Sequence, residues 1–232
     1  MLREINPTFA LRRTSTAIAI AILTLTLTAA LSGAMLAFYY EPTAGGSYHS
    51  LEYLNNEVNF GWLVRGLHDY AGNFVIALGL VQMVVMFLGR QFRASWLTGW
   101  ISGIFLILAA IGLGWTAMSL DWSQTGFWRF SIELGTVEAI PAIGPLLREV
   151  LTGGGGISTA TILRQYTLHS YVLSVAAIAG AVVHLVGLLF QDRRERRIQL
   201  EKREEKVEQM LNQIIEKRQS AGTDEMESAR RE

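Results

Sequence analysis

Residues 61–88 read GWLVRGLHDYAGNFVIALGLVQMVVMFL. A bilayer crossing takes about 20 predominantly apolar residues in a helix. This run is long enough and contains no proline. Near its start it carries one imidazole, His68. An ionisable side chain in hydrocarbon is costly, so His68 is a candidate for function. The competing reading is a structural hydrogen bond between helices.

Three further runs have the same character: Thr14 to Phe38, Trp96 to Met118, and Leu168 to Phe190. The last contains His169 and His184. Together they predict an all-α membrane protein, a four-transmembrane-helix bundle over residues 1–190. Charge agrees with this division. Of 20 Lys+Arg and 20 Asp+Glu, the segment from Gln191 to Glu232 holds 11 of each. The remainder is far poorer in charge than the roughly 25% of soluble domains, which argues against a soluble enzyme. No excess of Lys and Arg marks a nucleic-acid face. The chain has no Cys, which removes disulfides, thiolate metal sites, iron–sulfur clusters and thioether-linked haem. Residues 191–232 form a charged tail, expected to be helical, with an apolar stripe of Val207, Met210, Leu211, Ile214 and Ile215.

Arginines flank the spans at Arg3, Arg12 and Arg13, at Arg90 and Arg93, and at Arg193, Arg194, Arg196 and Arg197. The loop from Glu41 to Phe60 has none. The positive-inside rule then places both termini in the cytoplasm, with a bacterial cytoplasmic membrane as the expected location. The long segment from Asp121 to Gln165 lies on the outer side. It is expected to hold two interfacial helices, one over Trp122 to Leu134 and one over Ile140 to Leu151. The run Gly153 to Gly156 ends the second.

His68 and His169 both lie near the outer ends of their spans. Two imidazoles from neighbouring helices at one depth can face each other across a haem plane. His184 lies 15 residues beyond His169, about 22 Å deeper and about 60° round a regular helix. Its counterparts on the second span are Gln82 and Met83, and neither is a histidine. Gly33, Gly103 and Gly114 offer room for a flat macrocycle or, alternatively, for ordinary helix packing. Arg65 and Arg164 sit at the level where propionates would lie, or snorkel to headgroups.

These features are joined by longer matches. They include Phe38-Tyr39-Tyr40-Glu41-Pro42-Thr43, the run from Glu57 to His68, Ser119 to Gln124, Glu138 to Gly144, and Leu163 to His169. In this the chain resembles cytochrome b of the quinol-oxidising bc-type complexes. It is most like the short, split form of the bf-type complexes. The resemblance implies that His68 and His169 are axial ligands of an outer-side b haem, with Arg65 and Arg164 facing its propionates. It implies that His184 is one ligand of an inner-side haem. The loop containing Trp122, Phe127, Trp128, Ile140 and Pro141 would form one wall of an outer quinol site.

The sequence departs from that pattern in several places. Gln82 occupies the fourth ligand position, and an amide oxygen binds iron weakly. Asp121 stands where the family has Pro. Ala19 and Ala117 replace two of its glycines. The inner site is therefore expected to be empty or to hold an atypical, five-coordinate haem. The leading functional expectation is an electron-transfer subunit of a quinol:cytochrome c (or plastocyanin-like acceptor) oxidoreductase, not catalytic alone. Its partners would be membrane quinol, a second cytochrome b half (subunit IV-like) and a Rieske-type or haem-c acceptor subunit, in a dimeric complex. The alternative is a haem-poor structural or assembly subunit.

Overall fold

The computed structural model describes residues 7–89, 91 and 94–229, and the side chains of residues 7, 94 and 216–229 lie outside the description. Arg3, Arg90 and Arg93 of the orientation argument lie outside the described residues. Every regular element among the described residues is a helix. Four of its helices are long and apolar enough to cross a membrane.

The first, α1 (Pro7–Ala37), packs along α3 (Gly61–Leu88). Its apolar sequence is sprinkled with hydroxyl residues that hydrocarbon would penalise. Thr14, Thr16, Thr24, Thr26, Thr28 and Ser32 each donate to the carbonyl four residues back, so the helix satisfies its own side chains. The bounds of α3 coincide with the run that opened the sequence reading. Between them lies α2 (Ser47–Asn56), a short helix that the sequence reading left inside a loop. A 3₁₀ turn (Ala94–Trp96) leads into α4 (Leu97–Leu120).

The long connecting segment holds α5 (Gln124–Glu138) and α6 (Gly144–Thr152). Ser123 caps α5 by accepting from the Gly126 N–H at 3.2 Å. The second interfacial helix begins at Gly144 rather than Ile140. Pro145 lies in its first turn, where a missing N–H costs nothing. Gly153, at φ 91°, ends it in the left-handed conformation that a side chain disfavours.

The fourth spanning element starts earlier than Leu168. Ser158 and Thr161 form a reciprocal capping box that starts α7 (Thr159–Thr167). A π-helical segment (Leu168–Leu173) then joins it to α8 (Ser174–Ala229). The π turn inserts extra residue per turn, so the regular-helix offset of about 60° between His169 and His184 does not apply.

All four spanning elements contribute to one core. Ile22 of α1, Val75 of α3, Leu106, Ala109 and Ala110 of α4, and Ala177 and Ala181 of α8 form a single buried cluster. The alanines let the helix backbones approach closely, which is how apolar helices associate in lipid. A second cluster, Ala19, Met86, Trp96 and Leu188, lies around the other end. The chain divides into a unit of residues 1–188 and a unit of residues 189–232. The second unit is the charged part of α8, with its apolar residues exposed.

Candidate functional site

Two histidine levels result from these helices, and the side chains around them are arranged in opposite ways. At the first level the rings of His68 and His169 face each other, with centroids 6.1 Å apart and planes inclined at 54°. His169 stands in the π segment, a deformation that recurs at functional sites.

Hydrogen bonding fixes both tautomers. His68 Nδ1 is 2.9 Å from the Ala29 carbonyl, which only accepts, so Nδ1 carries the proton. His169 Nδ1 is 2.8 Å from Thr116 Oγ1. The single Thr116 proton goes back to the Gly112 or Leu113 carbonyl, so the hydroxyl accepts from His169. Neither of these bonds uses Nε2. Both rings thus keep a basic lone pair on the ring nitrogen that a metal takes, with the other nitrogen anchored. A metal–imidazole bond of about 2 Å on each side implies ring centroids roughly 6 Å apart. The observed centroid separation is of that size. Gly33 makes room for the arrangement, because a Cβ there would lie 2.8 Å from His68 Cε1.

At the second level the space is filled. His184 and Gln82 are each 1% exposed. His184 Nδ1 donates to the Gly99 carbonyl at 2.9 Å, leaving the lone pair on Nε2. The Gln82 amide nitrogen stands 3.1 Å from that Nε2 and 3.0 Å from Ser15 Oγ. It has two protons and gives one to each. The lone pair that iron would need is thereby taken. Gly103 also belongs to this level. A Cβ on it would meet Met83 Cε at 2.4 Å and His184 Cε1 at 2.9 Å. Met83 reaches this level as well, its long flexible side chain lying over Gly103.

Other expected site residues are placed differently. Arg65 ion-pairs with Asp121 Oδ1 at 2.6 Å and lies 3.9 Å from Asp69 Oδ2. Arg164 donates to the Val150 carbonyl at 2.5 Å and the Glu149 carbonyl at 3.3 Å, capping the end of α6. Both arginines thus have protein partners. Gly114 faces Ile76, whose Cδ1 would be 3.2 Å from an added Cβ. It serves α3–α4 packing.

The expected quinol-site wall divides. Trp122, in the left-handed conformation at φ 49°, stacks edge-on with Phe127 at 5.6 Å, and Phe127 with Trp128 at 5.3 Å. Ile140 and Pro141 lie beyond the far end of α5, whose 15 residues span about 22 Å. Both are exposed. The sequence reading missed Tyr40. Its hydroxyl donates to the Leu120 carbonyl at 2.8 Å, and its ring stacks on Tyr166 at 5.5 Å. Burial pushes its pKa up to about 12. The aromatic run Phe38-Tyr39-Tyr40 was the available signal.

Residues 11–191 match the family described as Cytochrome b/b6/petB. The chain is 36% identical over 155 residues to the cytochrome b6 of Mastigocladus laminosus, covering 67% of this chain and 72% of that one. It is 36% identical over 142 residues to the cytochrome b6 of Desmonostoc sp. (strain PCC 7906), covering 61% of this chain and 66% of that one. A solved chain described as "Hyperthermophilic respiratory Complex III" shares the fold, with a TM-score of 0.66 at 22% identity, over 75% of this chain and 47% of that one. The present sequence thus spans about two thirds of the length of the cytochromes b6 and about half of the solved chain. Four apolar membrane-length helices, two facing histidines and a match over most of the sequence lead to one assignment: the chain belongs to the cytochrome b family.

Proposed function

We propose that this protein is a membrane electron-transfer subunit that holds one b-type haem between His68 and His169 and none at the His184 level. The carrying observation is the contrast between the two levels. At the first, two anchored imidazoles keep their Nε2 lone pairs and stand at ligand separation. At the second, the Gln82 amide occupies the lone pair and the side chains close the gap.

Haem bound at the first level would accept and release single electrons. The chain's own residues supply the rest. Ala29 and Thr116 hold the tautomers, Gly33 gives His68 its seat, and the π turn aims His169. The aromatic group Trp122, Phe127 and Trp128 supports a quinol-facing wall at that end. Asp121 holds Arg65, which would leave a propionate less well compensated than in relatives with Pro at that position. The reading extends to a quinol-oxidising bc/bf-type complex in a bacterial cytoplasmic membrane, with both termini on the cytoplasmic side. A subunit IV-like half would complete the quinol site, and a Rieske-type or haem-c subunit would take one electron.

The closed His184 level also favours a second reading, a haem-poor structural or assembly subunit. A haem count on purified protein separates the two. One haem per chain with a low-spin bis-histidine spectrum supports electron transfer. A count near zero from membranes replete in haem sinks it.

A further inference from the structure

The family match spans residues 11–191, and the charged tail lies beyond it. Along the tail, Leu200, Val207, Met210, Leu211, Ile214 and Ile215 are all more than half exposed to solvent. Large apolar side chains on a charged helix are retained at a cost unless something covers them.

Their spacing identifies the cover. With Leu200, Val207 and Ile214 at heptad position d, Leu211 falls at a and Glu204 at the preceding a. Lys202, Glu205, Lys206, Gln209, Asn212 and Gln213 then occupy the outward positions, and all are polar. Met210 falls at g and Ile215 at e, which widens the apolar seam. Arg203 also falls at g and Glu208 at e. In a parallel two-stranded coil, position g of one helix meets e of the next heptad on its partner, five residues on. Arg203 meets the other copy's position 208, a glutamate, in both directions. Met210 meets position 215, an isoleucine. A helix paired with itself in this register thus joins Arg203 to Glu208 and Met210 to Ile215, against one opposing contact, Glu204 facing its own copy at position a. Two copies inserted in one membrane with the same topology send their tails to the same side, which makes the pairing parallel. Tethering in the membrane raises the effective concentration, which a coil this short requires.

We propose that residues 200–215 form a parallel two-stranded coiled coil with the same segment of a second copy of this chain. The absence of native Cys makes the test direct. Single Val207→Cys, Ile214→Cys and Gln209→Cys variants of the full chain are oxidised in their native membranes. The d-position variants should give about tenfold more disulfide-linked homodimer than Gln209→Cys, because only seam positions bring the sulfurs within bonding range. Adding Arg203→Glu to Val207→Cys should cut the dimer about tenfold, since two pairs become like-charged, and adding Glu208→Arg as well should restore it. Equal cross-linking at all three positions overturns the proposal. So does a Val207→Cys adduct with a different polypeptide, or a charge swap without rescue. Unchanged haem absorbance shows that the membrane domain of each variant is intact.

Discussion

Gln82→His restores an imidazole opposite His184, and on ligand inventory alone the variant should gain a second haem. The packing predicts that it does not. The Gln82 amide nitrogen and His184 Nε2 are 3.1 Å apart, and both residues are 1% exposed. Two nitrogens on one metal need about 4 Å. The helices or side chains would have to part, and the macrocycle would also need a slot. That slot is filled by Met83 Cε and His184 Cε1 over Gly103, and Ala19, also 1% exposed, packs in the buried cluster against which Met83 lies. Even a pocket of about 300 Å³, the small end for ligand sites, costs about 7 kcal/mol to open at 24 cal/mol per Å³. That is a penalty of roughly five decades in affinity. The replacement imidazole would instead hydrogen-bond to His184 Nε2, as the amide does. The assay is a pyridine haemochrome count with paramagnetic resonance on purified variant. The expected ratio stays at one haem per chain, with no new low-spin signal. Two bis-histidine haems from the single substitution would refute the claim that packing, beyond ligand identity, closes this level.

At the first level, His68→Ala and His169→Ala should each abolish the low-spin b spectrum, measured on membranes with chain content checked by immunoblot. A normal spectrum in either variant removes that residue from the ligand set. Gln82→Leu should destabilise the chain by about 1–2 kcal/mol, read as a lowered thermal midpoint in detergent. It removes two donated hydrogen bonds. It also relieves the buried Gln82 Oε1, which has no partner, so a larger loss is not expected. Trp128 is 61% exposed. Trp128→Ala should therefore leave stability unchanged while weakening a quinone-site inhibitor about tenfold in the assembled complex, followed by its shift of the haem spectrum. The Tyr40 phenol has a pKa raised to about 12 against an ordinary 10, so its folded form favours the proton. Its contribution is fully present below pH 10 and is lost as pH rises through 12. Tyr40→Phe should flatten that part of the pH–stability curve, measured by circular dichroism.

Much of the architecture was legible from one-dimensional pattern. Burial in hydrocarbon imposes length and apolarity on a span, so Gly61–Leu88 could be bounded from composition alone. Helix rise then put His68 and His169 at one depth and His184 at another, and Gln82 opposite His184, because depth in a straight helix is counted in residues. The short helices α2 and α7 were not legible. They are too brief for periodicity to separate them from loop, and one rests on a capping box of Ser158 and Thr161 whose partner is Thr rather than the usual Glu or Gln.

What no reading of sequence supplied was the choice of partner. Arg65 has at least two carboxylates within reach, and its pairing with Asp121, 56 residues away, depends on how α3 and the end of α4 meet. Arg164 turned to the α6 carbonyls because Gly153 brings that helix end beside it. Met83 filled the gap over Gly103 because the gap exists only once α3, α4 and α8 are packed together. The spans, the depths of the histidines and the place of Gln82 opposite His184 could be counted along the chain, because all are properties of single helices in an apolar solvent. Which side chains crowd around His184 came from the packing of the helices, which brings Gln82, Met83 and Gly103 together there. That depends on whether side chains from different helices can fill a shared space at native density, and no single helix carries that information.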